Sequence, residues 1–175
     1  MTAIMQRRAT RMLITVKRER GAPPAPPKAA LVRLFCRALR LAPKKRRPHP
    51  PIPALTKGGI KGGWRLAVDV HMVSDARIAA LNRTYLSQEG ATDVLAFTMG
   101  EWDRERRAYH AGEVVVSFET AQREAAARHI RRVEELSRYC LHGFLHLLGY
   151  EDATPAQRRA MFGIQEKALQ KGTHV

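Results

Sequence analysis

The sequence contains no long hydrophobic run and only two cysteines, Cys36 and Cys140. No stretch reaches the roughly eighteen consecutive apolar residues that a membrane-spanning helix requires, and no apolar segment with a small-residue cleavage site follows Met1. Because the two cysteines lie far apart without CxxC or metal-ribbon spacing, we interpret them as small buried side chains in a reducing compartment. These absences predict a soluble cytoplasmic protein that does not enter a membrane.

Acidic residues are almost absent from the first third of the chain. Residues 1–62 hold 16 of the 31 Lys and Arg residues and a single acid, Glu19, so the whole formal net charge of +15 lies there. A segment this basic attracts polyanions through counterion release, which favours RNA, DNA or an anionic membrane as its partner. Two alternatives stay open: charges that only keep a tail in solution, and a transit peptide in the Arg-rich opening, although this opening lacks serine.

Proline also divides the chain, because nine of the ten prolines precede residue 54, in clusters at 21–28 and 43–53 that we interpret as extended linkers. Between the clusters, apolar residues recur at helical spacing and predict a short basic amphipathic helix at about 29–41. We therefore divide the chain into a strongly basic, Pro-rich N-terminal region, 1–62, and a second region, 63–175.

The second region predicts an α+β fold, a small mixed sheet of about four strands packed with helices. Residues 64–72 alternate apolar and polar side chains as a half-buried strand does, with His71 on the polar face. The polar segment 100–112 is predicted to be a surface connection. Apolar runs predict strands at 94–98 and 113–118, and helical patterns with capping residues predict helices at 75–85, 121–129, 132–148 and 155–171.

The helix predicted at 132–148 carries the residues that indicate chemistry. Its C-terminal half is apolar nearly all round, as in a buried central helix, except for His142 and His146. Two imidazoles four residues apart share one helix face and form a recurrent half-site for Zn²⁺. Gly149 ends the helix, so that Glu151 or Asp152 can return a carboxylate to the same point. Two His and one carboxylate leave a coordination position open, as in catalytic sites, so that we predict 63–175 to be a metal-dependent hydrolase domain.

Other interpretations of these residues exist. A histidine on a buried helix is often only hydrogen-bonded within the core, and an acid such as Asp152 is favoured before a helix N-terminus without any metal. Residue 143 is Gly, which separates the segment from HExxH metallopeptidases, where a Glu at that position is the general base. Glu151 or Glu135 could serve as a base instead.

Three segments resemble the YbeY-type endoribonucleases of rRNA maturation. HGFLHLLGYED at 142–152 is similar to the family signature HGxLHLxGYxH, LNRTYLSQEGATDVLAF at 81–97 to LNxxYRxxxxxTDVLSF, and GEVVVS at 112–117 to GEIVIS. The resemblance implies a zinc-dependent, single-strand-specific endoribonuclease that acts in rRNA processing and in ribosome maturation and quality control. It implies one Zn²⁺ per chain at His142, His146 and Asp152, with rRNA precursors and ribosomal particles as partners.

The sequence departs from the family pattern at two positions. Asp152 replaces the third histidine, and because a carboxylate also binds Zn²⁺ we expect a more anionic site that still holds metal. Leu86 replaces an arginine that the family pattern implies for RNA contact, so another cation must act or the contact is missing. The departure at Leu86 favours an alternative function, a ribosome-associated assembly factor that binds RNA through residues 1–62, has a structural metal and cleaves little.

Overall fold

A computed structural model describes residues 11–42, 55–56, 59–60 and 65–170. No helix in this described part of the chain is long and apolar enough to cross a membrane. The elements follow in the order β1 (Arg11–Arg18), α1 (Lys28–Leu41), β2 (Leu55–Thr56), β3 (Gly59–Ile60), β4 (Arg65–Val73), α2 (Asp75–Leu86), β5 (Val94–Asp103), β6 (Ala108–Ser117), α3 (Phe118–Ala127), α4 (Arg132–Leu147) and α5 (Pro155–Gln170).

The main sheet has four strands in the order β1-β4-β6-β5, and β2 pairs with β3 in a separate two-stranded sheet. β4 runs parallel to β1 and β6, whereas β5 and β6 form an antiparallel hairpin. The parallel pairs are possible because helices lie between the strands in the chain, and the hairpin needs only a short turn. The mixed four-stranded sheet and the α+β class are confirmed.

Alternation along β4 separates the two faces of the sheet. Leu66, Val68 and Met72 are fully buried on the face that packs against α1 and α4. Asp69 and His71 point to the opposite face. α2 covers part of that opposite face through a small apolar cluster of Ile78, Leu95 and Val115.

The predicted amphipathic helix is present as α1, and it packs into the core of the domain. Its buried residues include Phe35, whose ring stacks on Phe144 of α4 with centroids 4.2 Å apart and planes 3° from parallel. Arg37 also donates a hydrogen bond of 2.7 Å to the carbonyl oxygen of Ala168 in α5. The apolar face of the helix is therefore used inside the protein, which leaves mainly its arginines for other contacts.

One strand of the main sheet, β1, was not predicted, and neither was the short pair β2 and β3. β1 lies in the basic region, yet it pairs with β4 from Arg11↔Arg65 to Arg18↔Met72. Met12 and Ile14 face the core while Thr15 and Lys17 face the other side, because side chains alternate along a strand. Residues 11–42 and 65–170 thus share one core, and the division at residue 62 marks a change of charge and composition. The predicted linker at 43–53 lies outside the described residues.

The prediction of a surface connection at 100–112 is wrong in most of its length. β5 continues to Asp103 and β6 begins at Ala108, so that only a short turn separates the two strands. Glu101 pairs with His110 and Asp103 with Ala108. Their polar side chains hide the strands from a hydrophobic pattern, because an edge strand tolerates charge on its exposed positions.

The helix α4 is the buried central helix that the sequence predicts. Gly143 lies so close to the sheet that a Cβ atom there would be 2.4 Å from a methyl group of Val114 and 2.8 Å from one of Val94. Glycine therefore allows α4 to lie against β5 and β6. The helix ends near Leu148, and Gly149 adopts a positive φ of 77° as the predicted stop. The predicted capping box of α5 is also present, between Thr154 and Gln157.

Candidate metal centre

Three predicted ligand residues converge at the C-terminal end of α4. The Nε2 atoms of His142 and His146 are 3.2 Å apart, and their rings are nearly perpendicular. The turn at Gly149 brings Asp152 back, so that its Oδ2 atom is 3.7 Å from Nε2 of His142. One ligand atom from each of the three residues lies within 4.8 Å of the other two. This arrangement leaves the cluster embedded on the helix side and more open on the carboxylate side.

A buried side chain from another helix orients the first imidazole. Gln165 of α5 is 5% exposed, and its Oε1 atom accepts a hydrogen bond of 3.0 Å from Nδ1 of His142. Its Nε2 atom donates to Glu166 at 3.3 Å, which fixes the orientation of the amide. The proton of His142 therefore lies on Nδ1, and the lone pair of Nε2 faces the cluster. Sequence reasoning missed Gln165, although a polar residue on the same face as the buried Met161 and Ala168 was a usable signal.

The second imidazole is kept in its neutral form. Burial lowers the pKa of His146, and the neighbouring His142 lowers it further, while the carboxylates of Asp152 and Glu151 act in the opposite direction. The net direction is a pKa below the usual value. A neutral imidazole is the form that ligates a metal, so the environment of His146 prepares it for that role.

The donor set fits a zinc ion. With Zn–N bonds of about 2.0–2.1 Å and tetrahedral angles, two ligand nitrogens are separated by about 3.3 Å, and the two Nε2 atoms are 3.2 Å apart. Among the described residues, no Lys or Arg side chain forms an ion pair with the carboxylate of Asp152 or Glu151. A metal ion bound at this point would supply a positive charge that the described residues do not.

The two candidate bases differ in position. Glu151 is exposed, and its Oε2 atom is 3.9 Å from Nδ1 of His146, on the side of the ring away from the cluster. Glu135 is fully buried on α4 and lies 3.2 Å from a guanidinium nitrogen of Arg128 and 3.4 Å from one of Arg138. Two cations therefore already engage Glu135, which leaves Glu151 as the better placed of the two to accept a proton.

Two further residues of α5 border the cluster and were not predicted. The guanidinium of Arg158 donates hydrogen bonds of 3.1 and 3.3 Å to the carbonyl oxygen of Asp152. The ring of Phe162 has its centroid 5.8 Å from that of His142 and remains 39% exposed. Leu86, where the family pattern has an arginine, is an exposed side chain at the end of α2.

A second cluster of histidine and carboxylate lies on the opposite face of the sheet. Asp69 is 3% exposed, and both of its oxygens accept hydrogen bonds of 2.9 Å from Arg106. His110 lies 3.4 Å away. Burial opposes ionisation of Asp69, but hydrogen bonds from Arg106 and Thr15 outweigh it and hold its pKa below the usual range. Sequence reasoning did not identify this cluster, because its members come from three strands and a turn.

The fold and the cluster of His142, His146 and Asp152 together define a small α+β protein with a candidate metal centre at the end of a buried helix. The family model described as endoribonuclease YbeY matches residues 54–173. This match covers more than half of the chain, and the chain belongs to that family.

Curated relatives named endoribonuclease YbeY agree with this assignment. One from Anaeromyxobacter dehalogenans is 43% identical over 94 residues, which cover 54% of this chain and 48% of the relative. One from Geobacillus kaustophilus is 38% identical over 109 residues, covering 58% and 70%. The chain thus spans about half the length of the first relative. A solution structure of TM1509 from Thermotoga maritima shares the fold, with a TM-score of 0.50, 23% identity and coverage of 92% and 88%.

Proposed function

We propose that this protein is a zinc-dependent, single-strand-specific endoribonuclease that processes rRNA precursors in the cytoplasm and acts in ribosome maturation and quality control. The observation that carries the proposal is the convergence of His142, His146 and Asp152, whose ligand atoms lie within 4.8 Å of one another. The family name supports RNA as the substrate. One Zn²⁺ per chain would be held by these three residues.

The mechanism assigns separate roles to the residues of the site. A bound zinc ion would lower the pKa of a water molecule and neutralise charge on phosphoryl oxygens. Gln165 holds His142 in the tautomer whose Nε2 lone pair faces the cluster. Burial keeps His146 neutral. Glu151, exposed beside His146, is the candidate proton acceptor, and because it lies on the side of the ring away from the cluster it would act through solvent.

The basic region contributes to RNA binding in this proposal. Lys17 and Arg18 of β1 line an open cavity of about 440 Å³ together with His71 and Arg77, and Glu19 is the acid in its wall. Cations around an open cavity attract phosphate groups, and binding of this kind weakens as salt increases. We therefore propose that residues 1–62 contact RNA, including RNA within ribosomal particles.

A second candidate function rests on Leu86. This exposed side chain offers no cation where the family pattern has an arginine. The alternative protein is a ribosome-associated assembly factor that binds RNA and uses the metal to hold its fold, with little intrinsic cleavage. The two functions differ in turnover and agree on metal content, so that one assay separates them.

Cleavage of a labelled single-stranded RNA by the purified protein, compared with a double-stranded RNA of the same sequence, tests the proposal. We expect His142→Ala to lose bound zinc and to cleave at least ~100-fold more slowly, because even outer-shell substitutions at metal sites cost about 10- to 100-fold. His129→Asn is the matched control, since His129 is an exposed residue with a positive φ of 53° that Asn tolerates. A wild type that carries zinc and binds RNA without cleaving it would favour the assembly factor.

A further inference from the structure

Two exposed side chains of α5, Arg158 and Phe162, border the candidate metal centre on one side. They lie four residues apart and therefore share one face of the helix, with Cβ atoms about 5–6 Å from each other. The next residues along the same region of the helix, Met161 and Gln165, are buried. Arg158 and Phe162 thus lie on the exposed side of α5, next to its buried side and beside the candidate ligands.

Phe162 presents an aromatic ring to solvent next to a candidate ligand. Its centroid is 5.8 Å from that of the His142 ring, the planes are tilted by 55°, and the side chain is 39% exposed. An exposed ring beside the site can bind an RNA substrate, because unpaired nucleobases stack on aromatic side chains. Paired bases are already stacked within a duplex, so such a ring favours single strands.

Arg158 holds a positive charge at the same edge. It donates two hydrogen bonds to the carbonyl oxygen of Asp152, at 3.1 and 3.3 Å, through Nε and one Nη atom. A guanidinium has five N–H groups, so that its other donors remain for an anion. None of the ion pairs among the described residues includes Arg158. Planar guanidinium groups bind phosphate through two parallel hydrogen bonds.

From this juxtaposition we propose that Phe162 and Arg158 form the RNA-binding edge of the site. A base next to the scissile phosphate stacks on Phe162, and Arg158 binds the backbone phosphate. Arg158 thus supplies the cation that the family pattern has at the position of Leu86. This inference rests on the proposed function and adds the residues that position the RNA. It also attributes the proposed preference for single-stranded RNA to the ring of Phe162.

Steady-state cleavage of a short single-stranded RNA by the zinc-loaded protein tests the role of Phe162. We expect Phe162→Leu, which keeps an apolar side chain but removes the ring, to raise KM by about 5- to 150-fold. Phe162→Trp should stay within about twofold of the wild type. Bound zinc and Tm should be unchanged in both variants. A set of RNAs, each with one abasic nucleotide at a different position, locates the stacked base. At one position the missing base should raise the KM of the wild type and leave the KM of Phe162→Leu unchanged.

Arg158→Ala is compared with Arg159→Ala, which removes the same charge from the next residue of the helix. We expect Arg158→Ala to raise KM by about 10-fold and to lower the slope of log KM against log salt by about one, with a smaller change for Arg159→Ala. If the wild type neither binds nor cleaves RNA, the proposed function fails and this inference with it. If the wild type cleaves RNA while Phe162→Leu and Arg158→Ala keep its KM, only the inference is overturned.

Discussion

Two clusters of histidine and carboxylate side chains, on opposite faces of one sheet, can be compared directly. At the first, His142, His146 and Asp152 bring three ligand atoms within 4.8 Å. At the second, Asp69 lies beside His110 and receives two hydrogen bonds of 2.9 Å from Arg106. The residue types are alike, but among the described residues only the second cluster includes a guanidinium paired with its carboxylate.

The two clusters differ in the burial of the carboxylate and in the cation beside it. Asp69 is almost fully buried, and the guanidinium that neutralises it makes the cluster self-sufficient. Asp152 is partly exposed and faces an imidazole, while the guanidinium of Arg158 binds its backbone carbonyl and forms no ion pair with its carboxylate. Among the described residues no guanidinium or ammonium group pairs with the Asp152 carboxylate, so a cation from outside would complete the first cluster.

The largest difference between the two clusters is expected in stability, at the cluster of Asp69 and Arg106. Arg106→Leu should lower the free energy of unfolding by about 2–3 kcal/mol, since it leaves the buried Asp69 carboxylate without its cation. Urea denaturation followed by circular dichroism measures the change. Bound zinc should be the same as in the wild type.

Arg83→Leu is the matched control for that experiment. Arg83 pairs with Glu89 at 3.9 Å, and both side chains are mostly exposed. Exposed pairs of this kind contribute about 0.2–1 kcal/mol or less. Equal losses of stability in Arg83→Leu and Arg106→Leu would contradict the distinction between the two clusters.

A smaller effect is expected from the residue that orients the open cluster. Gln165→Leu should weaken zinc binding by about 10- to 100-fold, because His142 loses the acceptor that fixes its tautomer. Competition with a chromogenic chelator measures the affinity. Gln165→Glu retains an acceptor and should bind zinc more tightly than Gln165→Leu. Unchanged affinity in Gln165→Leu would show that the hydrogen bond has no role in metal binding.

The sequence predicted most of the fold because the relevant signals are local. Alternation identified β4, helical periodicity identified α4, and Thr154 with Gln157 identified the start of α5. β1 was missed because its charged residues resembled a basic tail, and its pairing with β4 is a contact between distant segments. A prediction from periodicity cannot see such a partner.

The candidate site divides in the same way. His142 and His146 follow from the spacing of one helix, and Gly149 indicated the return of the chain to Asp152. Gln165, Arg158 and Phe162 come from α5, and their approach depends on how α5 packs against α4, which no local pattern encodes. Metal binding at the three ligands stays a prediction until it is measured.

The most direct test is the zinc content of the purified protein and of two neighbouring carboxylate variants, measured by elemental analysis. We expect one zinc per chain in the wild type and in Glu151→Ala, because Glu151 lies beside Nδ1 of His146 and outside the cluster. Asp152→Ala should lose the metal, since it removes the only carboxylate of the three ligands. A wild type without stoichiometric zinc, or an Asp152→Ala variant that retains it, would contradict the account.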